Sequence, residues 1–95
     1  MHVIYKYPIT PGNTLAIPTG AKILSTQYQR RDNGNMELVL WALVDTDQPL
    51  CFRNIHVYGT GWKAGDAVHL IHLATLQVDP LVVDTLVWHF FISPE

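Results

Sequence analysis

Ile23-Leu24-Ser25-Thr26-Gln27-Tyr28-Gln29-Arg30, followed by Arg31-Asp32-Asn33-Gly34-Asn35 and then Met36-Glu37-Leu38-Val39-Leu40-Trp41-Ala42-Leu43-Val44-Asp45, is the stretch on which the fold turns. Asn-Gly readily supplies the paired positive φ angles of a type I′ turn, so the two arms Ile23–Arg30 and Met36–Asp45 read as a β-hairpin. In the second arm Leu38, Leu40, Ala42 and Val44 point one way, and Val39, Trp41 and Leu43 the other. Both faces are apolar, which predicts a central strand covered on both sides.

Outward from this hairpin, Pro and Gly cut the chain into short pieces. The breaks fall at Thr10-Pro11-Gly12-Asn13, Pro18-Thr19-Gly20, Gln48-Pro49, Gly59-Thr60-Gly61, Lys63-Ala64-Gly65-Asp66 and Asp79-Pro80. Such clusters supply the backbone angles that turns demand. The pieces between them are rich in β-branched and aromatic residues. Further strands are therefore expected at Val3–Pro8, Leu15–Ile17, Phe52–Tyr58, Val68–Leu76 and Leu81–Ile92. Val68–Leu76 follows Asp66, a possible helix N-cap, but strand is the preferred reading. The expected fold is mainly β: about seven short, mostly antiparallel strands in a small sandwich or half-open barrel, forming one domain over residues 1–95.

Composition narrows the function classes. At 95 residues the chain buries only about 60–68% of its unfolded surface, and self-association is a common way to gain more burial. Charged residues are 15% of the chain, against roughly 25% in an average globular protein. Val39, Trp41 and Leu43, on the second apolar face of the central strand, are the candidate oligomer interface. Six Lys and Arg stand against eight Asp and Glu, a formal net charge of −2, which argues against binding extended nucleic acid. One cysteine, Cys51, leaves no intrachain disulfide. Residues 1–8 lack the pattern of a signal peptide, and no apolar run is long enough to span a bilayer, so a cytoplasmic protein is expected.

No catalytic constellation stands out. Cys51 has no Gly-rich elbow or adjacent base pattern, and Asp45 and Asp47 flank a turn where Asp serves local hydrogen bonding. His69 and His72 would share a face only on a helix, while His2, His56 and His89 are scattered, so neither metal nor cofactor is expected. The most suggestive window runs from Arg53 to Lys63. A strand carries Arg53, His56 and Tyr58 to the turn Gly59-Thr60-Gly61, with Trp62 and Lys63 beyond it. Backbone N–H groups, a hydroxyl and a cation there could hold a phosphate, and Tyr58 and Trp62 could stack a base. Gly-Thr-Gly between two strands is also simply a tight turn, without the strand-to-helix setting of a P-loop.

Ile4-Tyr5-Lys6-Tyr7-Pro8, Ile17-Pro18-Thr19-Gly20-Ala21-Lys22-Ile23-Leu24, Leu40-Trp41-Ala42-Leu43-Val44-Asp45, Val57-Tyr58-Gly59-Thr60-Gly61 and Leu86-Val87-Trp88-His89-Phe90-Phe91 resemble a family of short bacteriophage- and prophage-encoded proteins that carries no assigned activity. The chain departs from the family pattern after Gly61, where Trp62 stands in place of a polar residue, and in the bulky stretch 78–85. The resemblance implies a phage accessory protein in an infected bacterium, of the counter-defence kind. Such a protein would sequester a small anionic, nucleotide-type immune signal, or dock onto a host defence protein with no small ligand.

Overall fold

A computed structural model describes residues 1–77 and 87–95. The strands are β1 (His2–Pro8), β2 (Thr14–Pro18), β3 (Lys22–Arg30), β4 (Met36–Asp45), β5 (Leu50–Gly59), β6 (Ile71–Gln77) and β7 (Val87–Ile92), with a 3-10 turn at Gly65–His69. Strands hold 63% of the described residues. They form two antiparallel sheets, β1-β4-β3 and β2-β5-β7-β6, and no closed barrel. The part of the expected last strand before Val87, and the stretch 78–85, lie outside the described residues.

The β3–β4 pairing follows the alternation read from the sequence, with Thr26 opposite Leu40 and Tyr28 opposite Leu38. The turn is different. The Gly34 N–H donates to the Arg31 carbonyl (2.9 Å) and the Arg31 N–H to the Asn35 carbonyl (2.7 Å), so the loop centres on Asp32-Asn33. Gly34 follows in the left-handed region at φ +86°. This is a three-residue hairpin loop rather than a type I′ Asn-Gly turn. The Asn33 side-chain oxygen accepts the Asn35 N–H at 3.0 Å, local bonding that favours the longer loop.

β4 is central, between β1 and β3, but a second layer covers only one of its faces. Leu38, Leu40, Ala42 and Val44 point inward and meet Ile17, Ile55, Phe90 and Ile92 of the other sheet in the core. Each of these side chains except the small Ala42 contributes about 1.5–3 kcal/mol by leaving water. On the outer face Val39, flanked in register by Pro8 and Gln27, is wholly buried within its own sheet. Trp41 is half-buried and Leu43 is 36% exposed. Cover on both sides is therefore not what the structure shows: in-sheet neighbours shield Val39, and nothing among the described residues overlies Leu43.

β5 is shared. Its first half pairs with β2, Cys51 opposite Ile17, and its second half with β7, Tyr58 opposite His89. The expected strand Val68–Leu76 begins late, because Val68 and His69 belong to the 3-10 turn. That turn has no side-chain cap, so Asp66 does not act as one. No described helix is long and apolar enough to cross a membrane.

Candidate functional site

Strand alternation splits the Arg53–Lys63 window between the two faces of the second sheet. Arg53 sits on the inner face opposite Leu15, 3% exposed, and its Nε donates to the Ser93 carbonyl at 2.8 Å. His56 and Tyr58, being even-numbered on the same strand, point to the outer face. Gly59 to Gly61 do not turn β5 into a hairpin with β6, since β7 lies between those strands. The Trp62 N–H donates to the Gly59 carbonyl at 3.1 Å, and Gly61 takes φ +87°. Trp62 folds over Gly59 onto Trp88, ring centroids 5.2 Å apart, on the inner side of the sheet. Lys63 is exposed just after the turn. The structure thus brings His56, Tyr58 and Thr60 to one face, and places Arg53 and Trp62 on the other.

What gathers around His56, Tyr58 and Thr60 comes from β6 and β7. Thr60 Oγ1 lies 2.7 Å from His89 Nε2, His89 Nδ1 lies 3.1 Å from Thr75 Oγ1, and Thr75 Oγ1 lies 2.9 Å from His72 Nε2. Two hydroxyls and two imidazoles form one continuous hydrogen-bonded chain across three neighbouring segments. A hydroxyl both donates and accepts, and a neutral imidazole carries one donor and one acceptor, so the chain satisfies itself in either direction. Beside it, Phe91 meets Tyr58 edge-on at 5.6 Å and His72 at 5.3 Å, and pairs in register with His56. The outer face of β5-β7-β6 is therefore an aromatic and imidazole surface, held flat by the sheet and locked laterally by hydrogen bonds.

His72, Thr75, His89 and Phe91 escaped the sequence reading. Alternation in β7 carried half the signal: once Trp88, Phe90 and Ile92 face the core, His89 and Phe91 must face outward. That they face Tyr58 depends on β7 lying beside β5, which no local pattern states. Among the described residues no group of three or more His, Cys, Asp or Glu could hold a metal ion. Cys51 is a half-buried free thiol whose Sγ lies 3.3 Å from the Ile17 carbonyl.

A second polar concavity lies on the other sheet. Lys6, Gln29, Arg30, Arg31, Asp32, Asn33 and Glu37 line an open cleft of about 470 Å³ at the tip of the β3–β4 hairpin. An apolar opening of about 370 Å³ between the sheets is lined by Tyr28, Met36, Leu38, Val57, Trp88 and Phe90, with Pro11 at its side. Burial holds the Tyr28 hydroxyl above its ordinary pKa, so it stays protonated.

Comparison with curated proteins and with solved structures finds no match. A family model does match, over residues 1–95, and the chain belongs to that family, a domain of unknown function (DUF7352).

Proposed function

We propose that this chain is a binding protein that sequesters a small anionic, nucleotide-type ligand on the outer face of β5-β7-β6. The observation that carries the reading is the side-chain surface assembled there: aromatic Tyr58 and Phe91 beside the Thr60–His89–Thr75–His72 chain. A flat base gains about 1–3 kcal/mol from stacking on an aromatic side chain. His72 Nδ1 and the spare lone pairs of the two hydroxyls, which the chain leaves unused, offer partners to its edge, and the Thr60-Gly61 turn with Lys63 offers donors to a phosphate. Arg53 and Trp62, on the far side of the sheet, hold the strand and the turn in place and take no part in contact. The setting is the one the family resemblance implies, a bacteriophage accessory protein that counters host defence by removing a signal, in the bacterial cytoplasm and without catalysis.

A second reading, docking onto a partner protein or a second copy, is favoured by the open apolar surface of the first sheet. Ile4 is 61% exposed beside Leu43, and half-buried Trp41 lies next to them. Such surface is what protein interfaces cover.

Thermal melting against a panel of cyclic and linear nucleotides tests the first reading. A ligand at a hundredfold excess over its Kd adds about 2.7 kcal/mol to stability. The shift should vanish in Tyr58→Ala and survive in Arg30→Ala. No shift with any nucleotide would reject the reading and leave the docking alternative.

A further inference from the structure

We propose that two copies of the chain join through the free edge of β1, antiparallel about a two-fold axis, so that the sheet β1-β4-β3 continues into the same strands of a partner. The contact is a strand edge, distinct from the open face around Leu43 and from the ligand face, which lies on the other sheet.

The backbone shows which groups this edge presents. The Ile9 N–H donates to the Leu38 carbonyl (3.0 Å) and the Thr46 N–H to the Met1 carbonyl (2.9 Å), one at each end of the β1–β4 ladder. Hydrogen-bonded pairs recur at every second residue of an antiparallel ladder, so Val3, Tyr5 and Tyr7 bond to β4 as Met1 and Ile9 do. His2, Ile4 and Lys6 therefore turn both N–H and C=O away from β4, and Pro8 its C=O alone. No strand among the described residues takes these groups. Residues 78–86 join β6 to β7, and β6 lies against β3, at the opposite edge of the first sheet.

The second support is the contrast with the other sheet edges. β3 carries a bulge between Ile23 and Ser25 and β6 one between His72 and Ala74, while β2 has five residues and ends in Pro18. Bulges, short length and proline are devices that keep sheet edges from pairing. β1 runs in unbroken register from His2 to Pro8. Ile4 on its outer face and Tyr5 on its inner face are both exposed. Its single charge, Lys6, is drawn back across the sheet to Gln29 Oε1 at 3.1 Å and does not guard the edge.

One register satisfies this edge. With Ile4 opposite the partner's Ile4, His2 falls opposite the partner's Lys6, and every free N–H finds a carbonyl. Tyr5 comes beside the partner's Val3, a favourable aromatic and β-branched pair, and Pro8 stays outside the join. Lys6 faces the partner's His2 and, one strand further, the partner's Asp45, so a cation meets an acid and the two lysines sit at opposite ends.

Sedimentation of the full chain from micromolar to millimolar concentration, with amide hydrogen exchange at both limits, is the test. The mass should rise from 10.8 kDa to twice that value. Amides of His2, Ile4 and Lys6 should slow about tenfold or more on association, while those of Val3, Tyr5 and Tyr7 stay slow throughout. Ile4→Pro deletes an edge donor that β4 does not use, a change edge strands tolerate, and should weaken association about tenfold or more. Ile4→Lys sets like charges against each other across the two-fold axis and should do the same, which decides the matter should the proline variant not fold. Leu43→Asp should keep the dimer. A single-chain mass at millimolar concentration, association unchanged in Ile4→Lys, or a dimer lost in Leu43→Asp would each overturn the proposal.

Discussion

Trp62 stands edge-on to Trp88, with planes at 85°, in the space a side chain at Gly59 would need. A Cβ built on Gly59 would lie 2.7 Å from Trp62 Cε2, too close for real atoms. Gly59→Ala must therefore push the indole aside, at a cost of about 1 kcal/mol, with a changed near-UV circular dichroism signal from the separated pair. In a Trp62→Ala background the same alanine should cost almost nothing, a coupling that a double-mutant cycle on melting curves will read.

Thr26 faces the core opposite Leu40, and its buried hydroxyl finds no hydrogen-bond partner among the described residues. Such a group pays for desolvation without return. Thr26→Val keeps the shape and removes the polar atom, so the variant should be more stable by about 1 kcal/mol in urea unfolding. A loss of stability would mean that the hydroxyl has a partner after all.

Arg53 is buried with its Nε on the Ser93 carbonyl, which ties β5 to the residues after β7. Arg53→Ala removes a charge-assisted bond and opens space, and should lower stability by about 2 kcal/mol. Nucleotide affinity measured well below the melting temperature should be unaffected. A variant that kept its stability and lost ligand would move Arg53 back into the site.

Glu37 is held below its ordinary pKa by its hydrogen bond to Arg31. A carboxyl with a lowered folded pKa stabilises above its unfolded value and loses that contribution as pH falls through the folded one. Arg31 is exposed and Glu37 half-buried, so solvent screens the pair in part and the effect on stability is modest. Glu37→Gln should therefore unfold in urea slightly earlier than the parent at neutral pH, and at nearly the same midpoint once acid has protonated the carboxyl.

Leu43→Asp tests the open face of the first sheet. If copies associate through Ile4, Trp41 and Leu43, light scattering at micromolar concentration should return more than 10.8 kDa for the parent and the single-chain mass for the variant. Val39 contributes nothing to such an interface, being already buried inside the subunit.

The strands were legible because Gly and Pro punctuate them and because β4 alternates without interruption; the bounds Met36–Asp45 and its inward set emerge as read. The turn type was not, since Asn33 bonding to Asn35 competes with the paired geometry that Asn-Gly alone suggests. Of the window 53–63, local alternation already separates Arg53 from His56 and Tyr58. Trp62 reaches the inner side only because Gly61 bends the chain back and Gly59 leaves room. His72 and His89 joined the site through strand order, a property of the whole sheet that no window of eleven residues contains.

β5 has a consequence for how the molecule opens. Its two halves bond to partners on opposite edges: the Ile55 N–H donates to the Asn13 carbonyl (3.0 Å), and the Ser93 N–H donates to the Asn54 carbonyl (3.0 Å). Asn54 and Ile55 are the overlap, and neither neighbour can leave without breaking bonds there. The partners come from the beginning and the end of the chain, so this junction closes long loops and should form late and slowly. Amide hydrogens at Ile55 and Ser93 should then exchange only through global unfolding, while those of Arg31 to Asn35 exchange through local fraying, so that the tip of the β3–β4 hairpin breathes on a core that does not.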